Sequence, residues 1–246
     1  MRRRPVGPAA RPSRRPRPLH DPRGVTEARL VLVRHGVTDW NREGRFQGHR
    51  DPPLGGAGRH EAALVAERLA ADSRLRPVRI VTSTLGRARE TAEAIGAACD
   101  VAVEGDPRLI EIGQGDWEGR THAELEVDDA ARYEAWRTAP GIRRPPGGES
   151  IEAATRRVAE FLAELRSADH WPTCVVSHGG TLRILADALL GLGGLEARAF
   201  DVDNASVSVA TRIGTAWRLE RWNDALHLLG REPTHVDESE GRPLAL

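Results

Sequence analysis

Six residues spread along the chain carry side chains that could do chemistry together: Arg34, His35, Asn41, Arg87, Glu111 and His178. Two guanidiniums and two imidazoles around one point would grip a tetrahedral oxyanion such as phosphate, because the planar guanidinium fork matches its oxygens. One charge pair at ~4 Å is worth roughly 4 kcal/mol at an effective dielectric near 20, so several could stabilise the charge of a transferring phosphoryl group. Phosphate monoesters hydrolyse so slowly in water that enzymatic accelerations approach ~10²¹-fold. An imidazole nucleophile divides such a barrier into two steps through a covalent intermediate. Glu111 lies between Ile110 and Ile112, where desolvation would suit its carboxyl to general-acid work. Each residue also has a commonplace role: solvating a strand end, lining a loop, or sitting satisfied in a core.

The elements that must position these residues weigh against the commonplace roles. Leu30-Val31-Leu32-Val33 runs directly into Arg34-His35-Gly36. A continuous apolar run bounded by glycine predicts a strand buried on both faces. Its end delivers the Arg-His pair to the carboxyl edge of the sheet, where open α/β sheets place ligands. Gly36 is expected to let the backbone turn and approach a ligand closely. The same design recurs where Thr173–Ser177 runs into His178-Gly179-Gly180-Thr181 and a helix over residues 182–190. A further strand, residues 78–81, ends in Thr82-Ser83-Thr84, an N-cap candidate for a helix over 85–95. Arg87 falls in the first turn, where a cation opposes the helix dipole. The expectation is that Arg87 and the helix N-terminus share an anionic ligand, while Arg89, on another face, is solvated.

Elsewhere the periodicity predicts a helix over 57–71 with Leu64, Val65 and Leu69 on one face, and a short strand at 101–103. Residues 107–119 form a loop shaped by three glycines, 121–137 a helix broken near Asp128, and 140–149 a rigid loop. Ser150 is expected to cap a helix over 151–165, and residues 206–212 and 216–222 to form a hairpin. The βα alternation predicts an α/β fold, a mostly parallel sheet between helices with an antiparallel edge. Asp201-Val202-Asp203-Asn204 superficially resembles the DxD nucleophile of haloacid-dehalogenase phosphatases, but no apolar strand precedes it, and it is read as a loop.

Composition narrows the chemistry further. All 36 basic residues are arginine, which excludes a Walker A loop, a Schiff base and a kinase-type lysine. A cysteine phosphatase needs Arg six residues after its Cys, and Cys99 and Cys174 are followed there by Gly105 and Gly180. GxSxG and HExxH patterns are absent. Without CxxC spacing, the two cysteines are expected to be buried thiols in a reducing cytoplasm. No apolar run approaches the ~20 residues of a membrane span, so no membrane partner is expected.

Residues 1–24 hold eight Arg and one Asp among prolines, with no apolar signal region, and are expected to be a disordered tail. Nucleic-acid adhesion by this tail is disfavoured against an inert extension or a start codon placed too early. The remainder carries about −7, so an anion pocket needs locally concentrated arginine. Residues 25–229 are expected to form the functional domain and 230–246 a flexible tail.

The motifs together resemble the histidine phosphatase superfamily, in the branch of phosphoglycerate mutases and small phosphatases. They are Arg34-His35-Gly36 with Thr38 and Trp40-Asn41, Gln47-Gly48 with Asp51 and Pro53-Leu54, Ser83 with Leu85 and Arg87-Ala88, Glu111 through Gly115-Asp116-Trp117-Glu118-Gly119, Gly147-Gly148-Glu149-Ser150, and Ser177-His178-Gly179-Gly180. The match runs in order over roughly residues 28–224. The resemblance implies a three-layer α/β/α sandwich of phosphoglycerate mutase type. It implies His35 as the nucleophile, Arg34, Arg87 and His178 with Asn41 as phosphoryl ligands, and Glu111 as the proton donor and acceptor. Gln47, Gly48, Gly179 and Thr38 would line the site, with no metal and no cofactor. The implied partner is a small phosphomonoester such as a sugar phosphate, a phosphoglycerate derivative or α-ribazole phosphate, and a homodimer is one open assembly state. Val37 departs from the family, where Glu or Gln is common. The interval from Glu111 to His178 is shorter than in glycolytic mutases, which carry a covering segment with a lysine. Hydrolysis is therefore preferred over mutase chemistry, and a non-catalytic phosphate-binding module is the further alternative.

Overall fold

Every residue from Ala28 to Val33 is buried, and with Arg34 they form β1 (Ala28–Arg34), in the middle of a six-stranded sheet. The computed structural model describes residues 28–138, 144–165, 170–193 and 200–229. The expected tails, and residues 140–143 of the expected rigid loop, lie outside the described residues. After β1 come α1 (Asp39–Arg42), α2 (Gly56–Ala71), β2 (Arg79–Thr82), α3 (Gly86–Cys99) and β3 (Val103–Gly105). There follow α4 (His122–Asp128), α5 (Ala130–Thr138), α6 (Ile151–Leu165), β4 (Thr173–Ser177), α7 (Gly179–Leu190), β5 (Val207–Ile213) and β6 (Ala216–Asp224).

The sheet order is β3-β2-β4-β1-β5-β6. β1 pairs in parallel with β4, from Leu30↔Thr173 to Arg34↔Ser177, and antiparallel with β5. β2 is parallel to both β3 and β4. The expected parallel sheet with an antiparallel edge is thus realised, with β5 and β6 as that edge.

Alternation along β1 explains why its run is apolar throughout. Leu30 and Leu32 pack with Val158, Phe161, Leu162, Leu182 and Leu185 of α6 and α7. Val31 and Val33 point the other way, into Val65, Leu69, Ala88 and Ile95 of α2 and α3. A period of two with both faces covered leaves no position for a polar residue from Leu30 to Val33. A separate aromatic cluster of Phe46, Trp117, Tyr133 and Trp136 with Leu125 ties α4 and α5 to the loops before them.

Several expectations need correction. At Gly36 the close approach seen is to backbone: a Cβ there would lie 2.3 Å from Gly58 O, so its missing side chain lets the chain cross the start of α2. The Thr82-Ser83-Thr84 cap is also displaced. Leu85 is the N-cap of α3 and makes no side-chain cap; the carboxylate of Asp51 caps the helix instead, accepting from Gly86 N–H at 2.6 Å. α3 runs on past residue 95 to Cys99, and α7 begins at Gly179, earlier than its apolar stripe suggests. Ser150 does cap α6, its Oγ accepting from Ala153 N–H at 3.2 Å. Both cysteines are free and buried.

Candidate active site

His35 is the first residue beyond β1, and its N–H continues the ladder by donating to Ser177 O at 3.0 Å. Its ring is 2 % exposed, with Nδ1 2.8 Å from Gly36 O. A carbonyl only accepts, so Nδ1 carries the proton and the lone pair is on Nε2. Burial, and then the fields of Arg87 and Arg34, hold the imidazole well below the ordinary histidine range, so it is neutral.

His178 leaves the adjacent strand at the N-cap of α7 and is fully buried. Its ring centroid lies 5.1 Å from that of His35. Nε2 is 2.8 Å from Ser83 Oγ, which itself accepts from Leu85 N–H. A Ser83 hydroxyl that donates to Nε2 leaves the His178 proton on Nδ1, and Nδ1 has no protein partner. Burial, then Arg87, His35 and Arg34, lower this ring too.

The two guanidiniums are anchored by carbonyls and keep one edge unused. Arg34 donates from Nη1 to Val202 O at 2.5 Å, and its buried Nε has no partner. A Cβ on Gly179 would touch this guanidinium at 3.7 Å. Arg87 is 1 % exposed and donates from Nη1 to Arg50 O at 2.7 Å and from Nη2 to Gly48 O at 3.0 Å. Its Nε is likewise buried and unpartnered. Burial lowers Arg87 while Glu111 and Asp51 favour its charge. Buried cations with donors left over are costly unless something anionic meets them.

The N-terminus of α3 is not the shared anion site expected from sequence. Asp51 takes the Gly86 N–H and reaches Arg87 Nη1 at 3.4 Å. The arginine is tolerated in the first turn because this carboxylate offsets the helix dipole.

Around the imidazoles, polar side chains interlock. Asn41 Oδ1 accepts from Thr38 N–H at 3.1 Å, and Thr38 Oγ1 lies 3.0 Å from it and 3.2 Å from Gln47 Oε1. Asn204 donates from Nδ2 to His35 O at 3.0 Å and lies 3.4 Å from Asn41 Oδ1. Thr38 is fully buried and caps α1 with this hydroxyl. Glu111 is half-buried, but its carboxylate is not isolated among Ile110 and Ile112. It accepts from Ile112 N–H at 2.9 Å, Thr181 N–H at 3.1 Å and Gly180 N–H at 3.2 Å. A Cβ on Gly180 would come within 2.8 Å of both Glu111 Oε1 and Ile112 Cδ1 and push these side-chain ends aside.

Arg34, His35, Asn41, Gln47, Gly48, Arg87, Glu111, His178 and Gly179 therefore converge on the carboxyl edge of β2, β4 and β1. Sequence reasoning passed over Asn204, dismissed with its loop, and gave Asp51 no role in the site. The sequence signal for Asp51 was its place between Gly48 and Pro52-Pro53 in a turn-rich loop; for Asn204 there was none. Among the described residues, no group of three His, Cys, Asp or Glu side chains is arranged to hold a metal ion.

The fold and this cluster define an α/β protein with a buried, arginine-flanked pair of histidines at its sheet edge. The chain belongs to the histidine phosphatase superfamily (branch 1), whose family model matches residues 30–225. It is 34% identical over 213 residues to glucosyl-3-phosphoglycerate phosphatase of Mycobacterium tuberculosis, covering 79% of this chain and 94% of that protein. It is 36% identical over 211 residues to the probable phosphoglycerate mutase GpmB of Serratia proteamaculans, covering 81% and 94%. Among solved structures, mycobacterial glucosyl-3-phosphoglycerate phosphatase in complex with VO3 superposes with a TM-score of 0.73 at 36% identity, covering 80% of this chain and all of that one.

Proposed function

We propose that the protein is a metal-independent phosphomonoesterase of a small phosphorylated metabolite, working through a phosphohistidine. The observation that carries the reading is the His35 ring itself: buried, neutral, with Nδ1 held by Gly36 O and Nε2 left as the nucleophile. His35 Nε2 attacks phosphorus and the bond to the ester oxygen breaks. A protonated Glu111 gives its proton to the departing alkoxide. Water then attacks the phosphohistidine, Glu111 takes its proton, the P–N pair returns to Nε2, and inorganic phosphate leaves.

The unpartnered Nε groups of Arg34 and Arg87 and the Nδ1 of His178 are the donors for the phosphoryl oxygens. These guanidiniums supply the fixed positive charge that a metal would otherwise provide. Asn41 contributes from its amide nitrogen, because its Oδ1 is turned toward Thr38 and Asn204. Gln47, Gly48 and Gly179 line the pocket, whereas Thr38 holds Asn41 and Gln47 in place. A phosphatase-named relative supports hydrolysis; the absence of lysine and the short interval before His178 weigh against mutase chemistry despite the relative named GpmB. Two buried free thiols favour a cytoplasmic location, and no helix among the described residues is long and apolar enough to cross a membrane.

The test is a phosphomonoester panel containing an aryl phosphate, sugar phosphates and phosphoglycerate derivatives, run beside a mutase assay with and without bisphosphoglycerate. Hydrolysis that survives chelator is expected. Phosphate exchange between positions without net release would replace this reading with the mutase one.

A further inference from the structure

The peptide unit between Gly48 and His49 is held from both sides. Its carbonyl accepts from Arg87 Nη2 at 3.0 Å, and its N–H donates to Glu118 Oε1 at 2.9 Å. The bond is trans, so these groups point in opposite directions and one rigid plane spans carboxylate and guanidinium. A second rung lies beside it. Arg50 N–H, whose shorter bond is to Gln47 O at 2.9 Å, also lies 3.2 Å from Glu118 Oε2, and in the following peptide Arg50 O accepts from Arg87 Nη1 at 2.7 Å. Glu118 Oε1 also accepts from Gln114 N–H at 3.0 Å. Gly48 has φ +51, and a Cβ there would lie 2.1 Å from Glu118 Oε1, so the carboxylate occupies the volume a side chain would need.

We propose that Glu118 is a positioning residue for Arg87, acting through the backbone of residues 48–50. By drawing the N–H groups to one side it turns the carbonyls to the other. Those carbonyls then engage the Arg87 Nη groups and hold its Nε edge toward the pocket. An ionised carboxylate suits this task because it only accepts, and two oxygens meet three N–H donors. A carboxamide would present its own NH₂ to one of them. Asp51 does not duplicate the role: its strong contact is with the α3 N-terminus, and it meets Arg87 only at 3.4 Å. The inference rests on reading Arg87 as a phosphoryl ligand.

A double-mutant cycle tests it. kcat/KM on an aryl phosphate and competitive inhibition by inorganic phosphate are measured for the wild type, Glu118→Gln, Arg87→Ala and the double variant, with thermal midpoints alongside. Glu118→Gln is expected to lower kcat/KM and phosphate affinity about tenfold, the size of one lost charge-assisted hydrogen bond. In the Arg87→Ala background the same change should cost less than about twofold. A merely structural role would give equal losses in both backgrounds, and that result overturns the proposal, as does no loss in either. If Glu118→Gln does not fold, Glu118→Asp, which keeps the charge but shortens the reach, runs through the same cycle, and equal losses or no loss overturn the proposal there too. If Arg87→Ala alone costs nothing, the ligand reading of Arg87 fails first and this inference goes with it.

Discussion

His35 and His178 leave the ends of adjacent parallel strands with ring centroids 5.1 Å apart. Strand register sets that separation: Arg34 and Ser177 are the last paired residues, so both imidazoles belong to the first residue beyond the ladder. Ser83 completes the row from β2, its N–H donating to Val176 O at 3.0 Å while its hydroxyl meets His178. Three neighbouring strands thus each contribute the first residue beyond their last paired position.

His35→Ala should reduce hydrolysis of an aryl phosphate by at least about 10⁴-fold, as loss of a nucleophile does elsewhere. Rapid acid quench should trap a phosphorylated wild-type enzyme and none in the variant. Turnover retained by the alanine variant would place the nucleophile elsewhere.

Arg87→Lys should lower kcat/KM by roughly 10²-fold despite keeping the charge. The ammonium cannot bond two carbonyls and a phosphoryl oxygen in one plane. Steady-state kinetics with inorganic phosphate as inhibitor checks this, and near-wild-type values would mean that only charge matters at the position.

Glu111→Gln should slow alkyl phosphates far more than aryl phosphates, since a good leaving group needs little protonation. The comparison is of kcat across leaving groups of graded pKa. A uniform loss would assign Glu111 to holding Gly180 and Thr181 alone.

Stability should fall on acidification below neutrality. His35 and His178 are held well below the ordinary histidine value of 6.5, and His227, half-buried beside Arg68, is lowered to about 4. Between those values the unfolded chain binds protons that the native state refuses, so native stability is complete above about pH 6.5 and drains away as the pH falls. Urea midpoints at pH 7 and pH 5 should show the drop, and His227→Gln should flatten part of it. Equal midpoints in the wild type would contradict the neutral, buried rings.

Gly36→Ala should destabilise the fold by about 1–3 kcal/mol, the usual cost of overpacking. The new methyl would meet backbone, Gly58 O at 2.3 Å, which has no side chain to swing aside. Chemical denaturation measures the loss, and an unchanged midpoint would mean that α2 shifts freely.

The fold and the histidines were legible because apolar runs ending in His-Gly announce buried strands and their edge. Helices α2, α6 and α7 followed from spacing and caps. What stayed hidden depends on segments that meet only in three dimensions. Asp51 caps a helix that begins at Gly86, Asn204 reaches His35 from a loop without periodicity, and Gly36 is bare because of Gly58. Local patterns say nothing about such partners. Glu111 shows the same limit: its apolar sequence neighbours suggested desolvation, yet three N–H groups from its own loop and from α7 surround it.

The strand that presents His35 pairs with residues 173–177 and 207–212, both far along the chain. During synthesis on the ribosome it emerges well before either partner strand and stays unpaired until they have followed. Pairing over such distances is slow. A nascent chain stopped before residue 173 would hold every residue from Arg34 to Glu111 and still lack a pocket.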